Sequence, residues 1–114
     1  MKGSQISLGR KIRRFTREIV RIFRPRKVVL FGSHARGTAT ADSDVDLLVL
    51  MNFHGSAAEQ ALAIRKAVPR DFPLDLILRT PREAKRRLTQ GDSFLRVALK
   101  AGKVLYEDRS PGVD

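Results

Sequence analysis

A chain of 114 residues that is 42% hydrophobic has room for one domain with a single core, and is too apolar to be a charge-dominated disordered segment. It has no cysteine, which excludes disulfide stapling and cysteine-ligated zinc or iron–sulfur centres; this suits a reducing compartment, so a cytoplasmic location is expected. With 23 Lys and Arg against 12 Asp and Glu, the formal charge of +11 is compatible with nucleic acid, nucleotides or an acidic protein partner, without selecting among them.

The basic N-terminal stretch lacks the apolar core of a signal peptide, and no run approaches the ~20 residues that span a bilayer, so no membrane attachment is expected. In residues 8–24, Leu8, Ile12, Phe15, Ile19, Ile22 and Phe23 recur at helical spacing, with a basic opposite face and Pro25 as the stop. "KVVLF" (27–31) reads as a buried strand running into Gly32, and "VDLLVLM" (45–51) as a second strand. A helix over 57–68 ends at Pro69, and a third strand follows in "PLDLILR" (73–79). Thr80 as cap, Pro81 at the first position and Glu83 three residues after the cap start the next helix. Another helix begins with Asp92 or Ser93 as cap and ends at Gly102, and "KVLYE" (103–107) closes the chain as a strand. The expected organisation is one domain over 1–114, with a core of about 10–108 and a flexible tail over 109–114. The fold class is α/β, as an α+β mixed sheet flanked by helices.

Chemistry concentrates in "FGSHARGTATADSDVDLLV". Strand alternation turns Asp44 and Asp46 to one side and Val45, Leu47 and Val49 to the other. Two carboxylates this close repel, and a divalent cation or a shared proton relieves the repulsion; oxygen ligands suit magnesium or manganese. Asp75, between Leu74 and Leu76, is costly to bury without a partner, and a shared metal site would supply one. Asp71, in the loop-like "PRDFP", is a weaker third acid. Gly32 and Ser33 follow directly on the first strand, and "SHARG" begins a short helix whose free amides suit phosphate. Arg36 either approaches that phosphate or pairs with Asp42 on the surface, while His34 is expected to face solvent without a catalytic role.

This segment resembles the DNA polymerase β-like nucleotidyltransferase superfamily: Phe31, Gly32, Ser33, a spacer from His34 to Ser43, then Asp44, Val45, Asp46 and Leu47. The fuller stretch, with "GDSFLRVALKAGKVLYED", is similar to the minimal nucleotidyltransferases of prokaryotes. The resemblance implies transfer of a nucleoside monophosphate, AMP from ATP, to an acceptor hydroxyl. By it, Asp44, Asp46 and Asp75 would be catalytic and hold two magnesium ions, with manganese as a substitute, while Gly32, Ser33 and Arg36 would bind the triphosphate. It further implies a hetero-oligomer with a helical HEPN-family toxin, this chain acting as antitoxin by modifying a tyrosine. Two alternatives remain: an antitoxin that neutralises by binding alone, and a nucleotidyltransferase acting on RNA or tRNA. The second is less favoured because one Tyr and no Trp leave few platforms for stacking bases.

Overall fold

The computed structural model describes residues 7–109. Ser7 accepts a hydrogen bond from the Arg10 amide and so caps α1 (Leu8–Phe23). Arg24 ends that helix in a left-handed conformation at φ 52°, because Pro25 disfavours another right-handed helical residue before it. Then come β1 (Lys27–Phe31), the short α2 (Ser33–Arg36), β2 (Val45–Leu50), α3 (Ala57–Ala67), β3 (Leu74–Arg79), α4 (Pro81–Thr89), α5 (Ser93–Ala101) and β4 (Lys103–Glu107).

The strands form one sheet in the order β3-β2-β1-β4. β1 runs antiparallel to both β2 and β4, whereas β2 and β3 are parallel, with α3 as the crossover a parallel pair requires. The class expected from the sequence, a small mixed sheet flanked by helices, is the one observed. On one face Ile12, Phe15 and Ile19 of α1 and Ile64 of α3 pack with Val28, Val45, Leu47 and Val49. On the other, Val29 and Leu48 meet Ala84 of α4 and Leu95 and Ala98 of α5.

β2 is therefore covered on both sides, which explains its nearly continuous apolar run. Each fully buried Leu or Val there contributes roughly 1.5–3 kcal/mol, so a lone carboxylate inside the run, Asp46, works against the fold that contains it. Alternation places Asp46 on the Leu48 side, toward the α4 and α5 layer.

Several boundaries rest on local chemistry. α3 starts with a capping box: Ser56 Oγ accepts from the Glu59 amide at 3.0 Å, and Glu59 Oε1 accepts from the Ser56 amide at 3.1 Å. Asp92, rather than Ser93, caps α5 by accepting from the Leu95 amide at 2.9 Å. Pro73 precedes β3 instead of opening it, and its carbonyl accepts from Val45 at 2.9 Å. Gly102 ends α5, as the sequence suggests, but for a different reason: at φ −76° it is not left-handed. A methyl there would meet the Ala98 carbonyl, Val29 Cγ1 at 2.6 Å and the Leu30 carbonyl at 2.8 Å, so only glycine lets α5 turn into β4 this close to β1. Gly102→Ala should accordingly lower stability by about 1–3 kcal/mol as overpacking, read as a fall in the denaturant midpoint at unchanged slope.

The flexible tail expected over 109–114 lies, from residue 110 onward, outside the described residues. No helix among the described residues is long and apolar enough to cross a membrane.

Candidate active site

Three neighbouring strands bring the chemistry to one end of the sheet. In register, Phe31 of β1 stands opposite Asp46 of β2, and Asp46 stands opposite Asp75 of β3. Residues directly opposite share a face, so Asp46 and Asp75 project to the same side although they lie far apart in sequence. Asp44 sits just before β2, exposed, at the mouth of this row.

Immediately after Phe31, Gly32 adopts φ 75° and ψ −155°, a region nearly closed to other residues. A Cβ at Gly32 would overlap Asp46 Oδ2 and lie 3.1 Å from its Cγ, so the backbone of the turn rests directly against the Asp46 carboxylate. From there α2 begins, with the Gly32 carbonyl accepting from Ala35 and Arg36, each at 3.1 Å. The Ser33 and His34 amides precede that first bond, as at any helix start, and stay available to an anion.

The spacer is a closed turn. Gly37 caps α2 at φ 79°, and Thr38 donates back to Ser33 at 3.0 Å. Ser43 donates to the Thr40 carbonyl at 3.1 Å, and its hydroxyl accepts from the Thr40 amide at 2.9 Å. His34 completes the turn: its Nε2 lies 3.2 Å from the Ser43 carbonyl. A carbonyl only accepts, so Nε2 carries the proton. The expectation of a solvent-facing His34 is thus corrected, for the ring is half-buried and ties α2 to the residue preceding Asp44. Sequence inspection misses this because the contact depends on how the spacer folds back.

The electrostatics single out Asp46. Burial in the central strand pushes its carboxyl above the usual range, and the negative charges of Asp75 and then Asp44 push it further. His34 and Arg36 pull the other way, so both basic groups act on this carboxylate. Arg36 forms no ion pair with Asp42.

Asp75 requires a second correction. The sequence argument assumed a buried carboxylate, but β3 is an edge strand and Asp75 is exposed. No burial penalty therefore demands a partner; what ties Asp75 to the site is its register with Asp46. Asp71 lies elsewhere, paired with Lys11 of α1 at 3.0 Å.

Among the described residues no three acids or imidazoles are already drawn to metal-holding separations. What brings the acids to one place is the register of β2 and β3, with the charges of Asp75 and Asp44 felt at Asp46. The donor set fits a hard divalent cation: three carboxylates and no sulfur, one of them half-buried and raised by the other two.

The chain as a whole has counterparts among known proteins. Residues 10–105 match a family model described as "Nucleotidyltransferase domain". The fold is similar to that of a candidate nucleotidyltransferase from Sulfolobus solfataricus, with 21% identity and a TM-score of 0.55 over 68% of this chain and 70% of that one. It is also similar to a toxin–antitoxin structure solved with AMP-PNP, with 25% identity and a TM-score of 0.50 over 85% of this chain and 74% of that one. No curated protein matches the sequence. The family match runs from α1 into β4 and takes in the glycine turn and all three acids, so this chain belongs to the nucleotidyltransferase domain family.

Proposed function

We propose that this chain transfers AMP from ATP to a hydroxyl of a partner protein, the acceptor oxygen bonding the α-phosphorus as the α–β phosphoanhydride bond breaks and pyrophosphate leaves, and acts thereby as the antitoxin of a pair. The partner is a HEPN-type toxin and the acceptor a tyrosine. One observation carries the chemistry: the glycine turn rests against the same carboxylate that stands opposite Asp75 and feels the charge of Asp44. A phosphate seat and an acid cluster in contact through one residue suit phosphoryl transfer, in which positioning and charge neutralisation do most of the catalysis.

Asp44, Asp46 and Asp75 are the residues that would hold magnesium or manganese, as two ions. Bound there, the metal supplies charge neutralisation at the phosphates and a more acidic acceptor hydroxyl. Gly32 lets the β and γ phosphates approach the backbone, and the Ser33 hydroxyl and first-turn amides donate to their oxygens. Arg36, exposed but within electrostatic reach of Asp46, adds positive charge on the triphosphate side. Asp75, open on the edge strand, is accessible to an acceptor arriving from another molecule and takes its proton. Next to Gly32 and Arg36, Phe31, Phe94 and Val97 line an apolar groove of about 460 Å³, room for what the phosphate seat does not hold.

The toxin–antitoxin neighbour with its bound ATP analogue supports both the nucleotide and the antitoxin reading. The experiment incubates the purified chain with the protein encoded beside it, magnesium and each α-labelled nucleoside triphosphate in turn. Label from ATP should appear on the partner, in a peptide containing tyrosine, and should vanish when that tyrosine becomes Phe. Label on RNA with an unlabelled partner would reject this proposal. Magnesium or manganese should also raise the melting temperature of the wild type, and not that of Asp44→Asn/Asp46→Asn.

A further inference from the structure

Arg10, Arg13, Arg14, Arg17 and Arg21 of α1 are all exposed. At about 100° per residue they fall within an arc of roughly 100°, directly opposite the buried Ile12, Phe15 and Ile19. From Arg10 to Arg21 the stripe is about 16 Å long at ~1.5 Å per residue. Arg21 is held by Glu18 at 2.6 Å, whereas among the described residues no acid lies within ion-pair distance of Arg10, Arg13, Arg14 or Arg17. Like charges at this spacing destabilise an isolated helix, and Gln or Glu would serve the helix as well.

We propose that the outer face of α1 is a docking surface for folded RNA, gripping its sugar–phosphate backbone. The guanidinium fork matches phosphate in two-point contact, and a row of such forks meets a row of phosphates. An acidic protein is the poorer fit, because interface Arg anchors work within a patch of buried aromatic or aliphatic side chains and this arc presents none of those. In the DNA major groove Arg reads only guanine, and the arc offers no Asn or Gln for adenine; the one threonine of α1, Thr16, is buried and donates to the Ile12 carbonyl. Recognition by backbone and shape is what double-helical RNA calls for.

The stripe has a direction. Arg13 shares a cleft with Leu30, His34 and Lys103, so the N-terminal end of the stripe opens at the sheet end that carries the acids. RNA lying along α1 would reach that end of the sheet from the face opposite the one to which Asp46 projects. This holds whether the acceptor of the nucleotide is protein or RNA.

The test is fluorescence anisotropy of a labelled RNA hairpin, over a salt series, with three proteins. The first is wild type and the second Arg10→Gln/Arg13→Gln/Arg14→Gln/Arg17→Gln. The third, Arg82→Gln/Lys85→Gln/Arg96→Gln/Lys100→Gln, removes the same charge from exposed positions of α4 and α5. Each phosphate contact contributes roughly 0.7–0.9 to the slope of log affinity against log salt. The α1 variant should lose about 3 from that slope and at least about tenfold in affinity at low salt, and the control variant less than about 1 from the slope. Equal losses in the two variants would show net charge alone and overturn the assignment. So would absence of wild-type binding at low salt, a DNA duplex binding as tightly as the hairpin, or polyglutamate displacing RNA at equal charge.

Discussion

Asp46→Asn should abolish nucleotidyl transfer, by at least about 10³-fold, while leaving the metal-free protein folded and slightly more stable at neutral pH. The two effects have one origin. In the folded state burial and the charges of Asp75 and Asp44 raise the Asp46 carboxyl above its reference of 3.8, so folding favours the protonated form. Below 3.8 the group is protonated folded or unfolded and makes no difference. As pH climbs through and beyond the ordinary carboxylate range, the ionised form is the less favourable one in the folded state, and wild-type stability falls relative to the amide variant. Solvent screens this half-buried group, so the gain for Asn is well under ~1 kcal/mol. Melting curves of both proteins from pH 3 to pH 8 in chelator should diverge upward in favour of Asn, and magnesium should close the gap by stabilising only the wild type. A variant that transfers AMP at the wild-type rate, or is less stable than wild type at pH 7 in chelator, would contradict this account.

Gly32→Ala and Gly37→Ala should separate backbone strain from contact with the site. Both glycines have positive φ, 75° and 79°; strain should cost about 1–2 kcal/mol at Gly37, in the left-handed region, and more at Gly32, whose ψ of −155° is essentially confined to glycine. Around Gly37 nothing lies within 4 Å of an added methyl, so Gly37→Ala should lose stability alone and keep most of its transfer rate. At Gly32 the methyl would occupy the place of Asp46 Oδ2, so the carboxylate must swing away and the phosphate seat fills. Gly32→Ala should therefore lose about 10²-fold or more in transfer, since misplacement by about 1 Å suffices for such a loss. Steady-state kinetics of the two variants, compared at matched folded fraction, check this. Similar rates for both would mean that the turn does not support the acid.

Much of the fold is legible in the sequence because it rests on local rules. Pro25 stops α1, Thr80 and Pro81 start α4, and the apolar run of β2 announces a strand covered on both faces. The capping box at Ser56 and Glu59 is equally local, and its Ser-x-x-Glu signature is readable in "SAAE". The site is less legible where it depends on distant partners. The spacing of Asp44 and Asp46 places them on one side, but nothing local states that Asp75 stands opposite Asp46. Its exposure is equally hidden, for only the strand order shows that β3 is an edge. The hydrogen bond from His34 to Ser43 belongs to the same class, closed by a turn whose shape is decided by Gly37 and Thr40.

The pairing of Asp46 with Asp75 makes the site a check on assembly. Side chains along a strand alternate, so a slip of one residue between β2 and β3 would present Leu74 or Leu76 where Asp75 belongs and turn the acid to the far face. On the proposed roles of these acids, a chain folded in the wrong frame would lack transfer activity. For a protein proposed to write a covalent mark on its partner, such a misfolded copy would leave the partner unmodified.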